Sequence, residues 1–172
     1  RGGSLGGKAR GLAFLNSLLE QEKLRSKFKN IDINVPKCAI IGTNEFLKFM
    51  KHNNLWDKAA NCDDEKIIKS LFIQASLSEK VKRRLNGYLN LNKVPIAVRS
   101  SSLLEDSQYK SLSGSFDTYM LSNNNSSHKI RFKELENAIK LVFSSIFKSA
   151  GKTLIKNTGH NIEEERMAVI IQ

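Results

Sequence analysis

The sequence predicts an α+β (mixed α/β) fold in which helices pack on a small, largely antiparallel sheet. Helical periodicities cover much of the chain, and runs of helices separate short strands that are rich in β-branched and apolar residues. The chain has 172 residues, of which 40% are hydrophobic and 26% are charged. This length and composition are typical of one soluble globular domain with its own core.

The first part of the chain predicts a helix, a short strand and a second helix. Apolar residues recur at helical spacing at Leu12, Leu15, Leu18 and Leu19. They predict a helix from Lys8 to about Lys23. The run VPKCAII reads as a strand whose proline lies at its beginning, where a missing N–H group is tolerated. Thr43 is a suitable N-cap for the helix NEFLKFMKHN.

Two more helices and two strands follow. The helices are DEKIIKSLFIQA and SEKVKRRLNGYL, and Ser78 caps the second. VPIAVRSSS is an apolar strand that ends on polar residues, and LSGSFDTYMLS is a strand with Phe116, Thr118 and Met120 on one face. The turn-forming run NNNSSH predicts a loop after that strand.

The longest predicted helix runs from 131 to about 149, with Gly151 as its C-cap. Its apolar stripe comprises Phe132, Leu135, Ile139, Val142 and Ile146. Charged residues lie off that stripe: Lys133, Glu134, Glu136 and Lys140. The last strand is ERMAVIIQ, and an exposed edge on it would promote self-association, so a homodimer is one expectation.

The net charge and the distribution of aromatic, apolar, cysteine and histidine residues limit which partners and which cellular compartment we expect. The net charge of +11 suits anionic partners. We do not expect nucleic acid, because the aromatic residues fall mostly in helical core stripes.

No apolar run reaches the ~20 residues of a membrane helix, and no signal peptide is visible. Cys38 and Cys62 lie far apart with no CxxC spacing, which favours free thiols in a reducing cytoplasm, and the three scattered histidines predict no metal site.

The opening run RGGSLGGKARG partly fits the phosphate-binding loop GxxxxGK[ST]. Gly2, Gly7 and Lys8 match, but Ala9 stands where a hydroxyl would hold magnesium, and no strand precedes the loop. A glycine-rich backbone that leads into a helix can still bind an anion, and a lysine there adds a point charge for phosphate oxygens. On residue chemistry alone, a flexible turn with a solvated lysine is an equal alternative.

The run AVRSSSLLEDS contains a second candidate for anion binding. Arg99 leaves a buried strand into three serines, and a guanidinium can clamp phosphate oxygens bidentately. An edge arginine paired with Glu105 or Asp106 explains the run equally well. These two acidic residues are adjacent and face opposite sides of an extended strand, so they do not form an acid/base dyad.

Two weaker candidates lie further along the chain. In SLSGSFDT, Gly114 would let the backbone approach a ligand and Thr118 offers a hydroxyl, although for this run alone a Gly-Ser hairpin turn is the stronger explanation. Gln172 closes an apolar strand with an amide that would suit the edge of a heterocycle, or it is only a strand end.

Taken in order, these segments resemble one family. GGKARGLAFL, VPKCAIIGTNEFLKF, IAVRSSSLLEDS, SGSFDTYM, VFSSIFKSA and MAVIIQ resemble the N-terminal nucleotide-binding region of the pyruvate phosphate dikinase and phosphoenolpyruvate synthase family, a region shared with rifampin phosphotransferase and glucan water dikinases. The resemblance covers essentially all 172 residues. It implies that residues 1–172 are the N-terminal part of an ATP-grasp fold, an N-terminal segment of the ATP-binding domain that we expect to come from a longer polypeptide.

The resemblance also implies a set of ATP-binding residues. Lys8 and Arg99 would contact ATP phosphates, Gly114 and Thr118 would line the nucleotide, and Gln172 would lie beside the adenine. Mg²⁺ is implied as a cofactor whose ligands lie outside this segment, so no metal ligand and no catalytic residue is expected within it. The chain departs from the family at Ser113 and Ser115, where alanine and glutamine are usual, and it lacks an aromatic-arginine pair after the long helix.

The implied reaction moves a phosphoryl group from ATP to a catalytic histidine and then to pyruvate or a related acceptor, with release of AMP. The second half of the ATP-grasp and the phosphohistidine domain are not in this segment, which we expect to be inactive alone. A basic nucleic-acid-binding module, or a non-catalytic interaction domain that keeps the fold, are the alternatives.

Overall fold

The computed structural model describes residues 3–21, 27–28, 30–102, 116–157 and 161–172, and it has the predicted α+β architecture. One antiparallel sheet has the strand order β1-β4-β2-β3. Its strands are β1 (Ala39–Ile41), β2 (Ile96–Ser102), β3 (Thr118–Leu121) and β4 (Met167–Ile171). The helices are α1 (Gly7–Gln21), α2 (Thr43–His52), α3 (Trp56–Ala60), α4 (Glu65–Gln74), α5 (Glu79–Leu91), α6 (His128–Ser144) and α7 (Ser149–Asn157), with 3₁₀ turns at Ser145–Phe147 and Ile162–Glu164. Within the described ranges, no helix combines the length and the apolarity that crossing a membrane requires.

Strand β4 lies inside the sheet, so the expected exposed edge on this strand is wrong. Ile170 is opposite Ile40 of β1 on one side and opposite Arg99 of β2 on the other. All residues of β4 are buried. A run that is apolar on both faces is typical of a central strand, and pairing on both sides satisfies its backbone groups.

The two faces of the sheet have different neighbours. Ile96 and Val98 of β2 join the hydrophobic core, which also contains the buried part of the predicted apolar stripe of α6. Because side chains alternate along a strand, Ala97, Arg99 and Ser101 lie on the opposite face. The beginning of α1 lies over that second face, where it bonds to Ser101.

The long helix is shorter than predicted, and three of its charged residues are buried: Arg131, Glu136 and Lys140. It ends at Ser144, and the 3₁₀ turn and α7 follow it. Gly151 is not its C-cap, because it lies inside α7, where a Cβ atom would overlap the carbonyl oxygen of Ile146. Glu136 and Lys140 form an ion pair of 3.0 Å within the core region. The Lys140 ammonium also donates to the carbonyl oxygen of Ile73 at 3.2 Å.

One predicted helix cap is confirmed and one is wrong. The Ser78 hydroxyl accepts a hydrogen bond from the N–H of Val81 at 3.3 Å. Thr43, in contrast, is the first residue of α2 and follows an N-cap at Gly42. Its hydroxyl accepts from the N–H of Ser4 at 2.9 Å, and its own N–H donates to the carbonyl oxygen of Ser4 at 3.0 Å. Thr43 therefore ties the opening segment to α2 instead of capping the helix.

Candidate functional site

The glycine loop, residues 3–6, is anchored between α2 and the end of β2. Gly3 and Gly6 have φ angles of +101° and +72°, a region that side-chain-bearing residues rarely adopt. A Cβ atom at Gly3 would lie 2.7 Å from the backbone nitrogen of Asn44, and one at Gly6 would overlap the carbonyl oxygen of Ser101. These glycines permit both the conformation and the close approach, so the loop is not a free turn.

Lys8 lies in the first turn of α1, beside the C-terminal part of β2. Its Nζ atom is 3.4 Å from both the carbonyl oxygen and the hydroxyl oxygen of Ser100. The side chain is exposed at this end of the strand. The N-terminus of a helix carries partial positive charge, which adds to the attraction for an anion.

The strand register brings three further predicted residues to the same face of the sheet. Arg99 is directly opposite Thr118 on β3. Gln172 follows β4 and exchanges two backbone hydrogen bonds with Ala97, at 2.7 and 3.0 Å. Ala97 and Arg99 share one face, so the side chains of Arg99, Thr118 and Gln172 lie on the face over which α1 begins.

The structure thus places Arg99, Thr118 and Gln172 on one face of the sheet, and it places Lys8 against Ser100, the next residue of β2 after Arg99. Thr118 is exposed, and Arg99 and Gln172 are half-buried. Gly114 lies outside the described residues, as do Glu105 and Asp106, the alternative partners of Arg99.

The side chain of Gln172 has a buried acceptor without a donor. Its Oε1 atom is inaccessible and has no hydrogen-bond partner among the described residues. A buried polar atom of this kind costs free energy unless a donor reaches it. An exocyclic amino group of a bound heterocycle would be such a donor.

Asp117 fixes the start of β3, immediately before Thr118. Its carboxylate accepts from the Lys148 ammonium at 2.7 Å and from the Tyr119 hydroxyl at 2.8 Å. Burial raises the pKa of Tyr119 well above its ordinary value, and the hydrogen bond and charge of Asp117 raise it further. Sequence reasoning missed this cluster, because Lys148 is 31 residues away along the chain.

Sequence reasoning also missed the residues that hold the glycine loop. The Ser101 hydroxyl donates to the carbonyl oxygen of Leu5 at 2.9 Å and accepts from the N–H of Ala9 at 3.2 Å. The Ser4 hydroxyl accepts from the N–H of Gly6 at 3.2 Å. The sequence did contain a signal for these contacts, the run of serines at the end of an apolar strand. Hydroxyl groups that are buried there require hydrogen-bond partners from another segment.

Among the described residues, no group of three or more His, Cys, Asp or Glu side chains is placed to hold a metal ion. The side chains on this face, a lysine, an arginine, a threonine and a glutamine, do not fit Mg²⁺, which prefers carboxylate ligands. That the magnesium ligands lie elsewhere in the protein stays a prediction.

Known proteins similar to this chain include a nucleotide-binding domain family and a phosphotransferase. The family model described as the pyruvate phosphate dikinase AMP/ATP-binding domain matches residues 3–172. The chain is also 26% identical over 141 residues to the uncharacterized phosphotransferase YvkC of Bacillus subtilis (strain 168). That match covers 80% of this chain and 15% of the relative, so the chain spans only a small part of the length of that protein.

Proposed function

This chain belongs to the pyruvate phosphate dikinase AMP/ATP-binding domain family, and we propose that the sheet face beside α1 is its ATP site. Lys8 and Arg99 would contact the phosphates, Gly114 and Thr118 would line the nucleotide, and Gln172 would meet the adenine. The observation that carries the proposal is the placement of Lys8 against β2, one residue from Arg99, at the beginning of a helix.

The chemistry of the phosphate end supports this assignment. Arg99 provides a planar fork of donors for phosphate oxygens, and Lys8 provides a compact charge. The N-terminal end of α1 adds its partial positive charge from the same side. In phosphoryl transfer the protein mainly positions phosphates and neutralises developing charge, so both residues would act electrostatically and not as acids or bases.

The distance along β2 between the positions of Gln172 and Lys8 also suits a nucleotide. Gln172 lies opposite Ala97, and Lys8 contacts Ser100, three residues further along β2. At the rise of a β-strand this separation is roughly 10 Å before the reach of the side chains is added. A base at Gln172 and phosphates near Lys8 and Arg99 are therefore compatible with one extended ligand.

The proposed reaction is that of a dikinase-type phosphotransferase. A phosphoryl group would pass from ATP to a catalytic histidine and then to pyruvate or a related acceptor, with release of AMP. The remainder of an ATP-grasp fold and the phosphohistidine would come from other parts of a longer protein. Residues 1–172 would contribute one wall of the nucleotide site and no catalytic residue.

Isothermal titration of the full-length protein with ATP tests the site. Lys8→Ala and Arg99→Ala should each weaken ATP binding by about tenfold or more, because a hydrogen bond to a charged group contributes about 1.5–3 kcal/mol. Lys58→Ala, an exposed lysine of α3, makes the same charge change and should leave the affinity unchanged. Unchanged ATP affinity in both site variants would refute the assignment.

A parallel titration addresses the nucleic-acid alternative. Single-stranded and double-stranded oligonucleotides should bind weakly if the nucleotide site is the functional one. Tight binding with a steep salt dependence and no preference for adenine would favour the nucleic-acid module instead.

A further inference from the structure

Helix α1 begins without a side-chain cap of its own. The first N–H groups of a helix have no partner within the helix, and the residue before the first turn usually provides one from its side chain. Here that residue is Gly6, whose carbonyl oxygen accepts the N–H of Arg10 at 3.1 Å but which has no side chain. A cap for this helix has to come from elsewhere in the fold.

Ser101 provides that cap from β2. Its hydroxyl accepts from the N–H of Ala9, the third residue of α1, across 92 residues of sequence. The same hydroxyl donates to the carbonyl oxygen of Leu5, on the other side of Gly6. The side chain is completely buried, so water does not compete for these two hydrogen bonds.

Gly6 and Ser101 require each other. A side chain at Gly6 would overlap the backbone of Ser101, so the position that normally provides the cap has to be a glycine here. In return, the absence of that side chain allows Ser101 to reach the helix. The close approach of Gly6 and the two hydrogen bonds of the Ser101 hydroxyl together hold the glycine loop against β2.

We infer that Ser101 is a positioning residue that acts through Lys8. Lys8 lies between the two anchor points, Leu5 and Ala9, and Arg99 lies two residues before Ser101 on the same face of β2. One hydroxyl therefore sets the distance between the lysine on the helix and the arginine on the strand. The inference rests on the proposed ATP site, and it extends that site to a residue that does not touch the ligand.

Isothermal titration of the full-length protein with ATP and with adenosine tests this role. Ser101→Ala should weaken ATP binding about tenfold, since two buried hydrogen bonds that preorganise the site are lost. It should leave adenosine binding unchanged, because adenosine has no phosphate for Lys8 to contact. Ser145→Ala is the matched control, since this buried serine donates to Val142 at 2.7 Å outside the site, and it should change neither affinity.

A double-mutant cycle separates positioning from general destabilisation. If Ser101 acts through Lys8, Lys8→Ala should cost several-fold less ATP affinity in the Ser101→Ala background than in the wild type. Additive effects, or an equal loss of adenosine and ATP binding, would overturn the inference. Should Ser101→Ala fail to fold, Ser101→Cys keeps a weak donor at similar volume, and the same comparison is made with it.

The outcomes also distinguish this inference from the proposed function. If Lys8→Ala weakens ATP binding but Ser101→Ala does not, only the positioning role is refuted. If the wild-type protein does not bind ATP, the proposed site is refuted, and the positioning role with it.

Discussion

Gly6 offers the sharpest test of the anchored loop, by the substitution Gly6→Ala. An alanine at φ +72° costs about 1–2 kcal/mol in the left-handed region. Its Cβ atom would overlap the Ser101 carbonyl oxygen, so the loop has to move and both bonds of the Ser101 hydroxyl are lost, at about 1 kcal/mol each. Alanine also lowers the conformational entropy of the unfolded chain, which stabilises the folded state by about 0.4–1 kcal/mol. The free energy of unfolding should therefore fall by about 2–3.5 kcal/mol.

Urea denaturation followed by circular dichroism measures this change, with Gly11→Ala as the matched control. Gly11 lies in the same helix, and a Cβ atom there would meet nothing within 4 Å. Because alanine favours a helix interior over glycine, Gly11→Ala should raise the free energy of unfolding by up to about 1 kcal/mol. If Gly6→Ala were as stable as the wild type, or were stabilised like the control, the loop would not be anchored as the structure has it.

Further predictions concern buried polar groups. Lys140→Ala removes the ammonium 3.0 Å from the buried Glu136 carboxylate and leaves that carboxylate paired with Lys133 at 3.6 Å. Urea denaturation should show a loss of about 3 kcal/mol, which the double variant Lys140→Met/Glu136→Leu largely recovers. Burial and Asp117 raise the folded-state pKa of Tyr119 above its ordinary 10.0, so its contribution to stability is complete below about pH 10 and is lost as the pH rises further. Melting temperatures above that pH should therefore fall more steeply for the wild type than for Tyr119→Phe. Gln172→Leu removes a buried acceptor that no described residue satisfies, so thermal stability should be equal or higher, while calorimetry should show a several-fold loss of ATP affinity.

The fold class was predictable because its signals are local. The apolar stripe of the long helix and the cap at Ser78 depend on residues within one or two turns, and both are confirmed. The cap at Thr43 was wrong because a partner 39 residues away, Ser4, occupies its hydroxyl. Gly151 was misassigned for a different reason, because a helical periodicity does not show the 3₁₀ turn that follows the long helix and that Gly151 contacts.

The candidate site was predictable only in part. Residue chemistry alone left Lys8 and Arg99 as even alternatives to a flexible turn and an edge ion pair. Their proximity depends on the antiparallel register and on the approach of α1 to β2, contacts that join residues about 92 positions apart. The order of the motifs along the chain provided the information that the single motifs lacked, because it identified the family.

The mismatch with the phosphate-binding loop at Ala9 now has a structural reason. The side chain of Ala9 is completely buried, and the N–H group of this residue bonds to the Ser101 hydroxyl. A hydroxyl at position 9 would therefore face the protein and not a metal–phosphate ligand. Lys8, in contrast, points its ammonium along β2 toward Ser100, beside Arg99. The glycines of the loop allow its close approach to the sheet, and Ser101 of β2 caps α1. Position 9, where the phosphate-binding loop has a hydroxyl residue, therefore has a packing role in this fold.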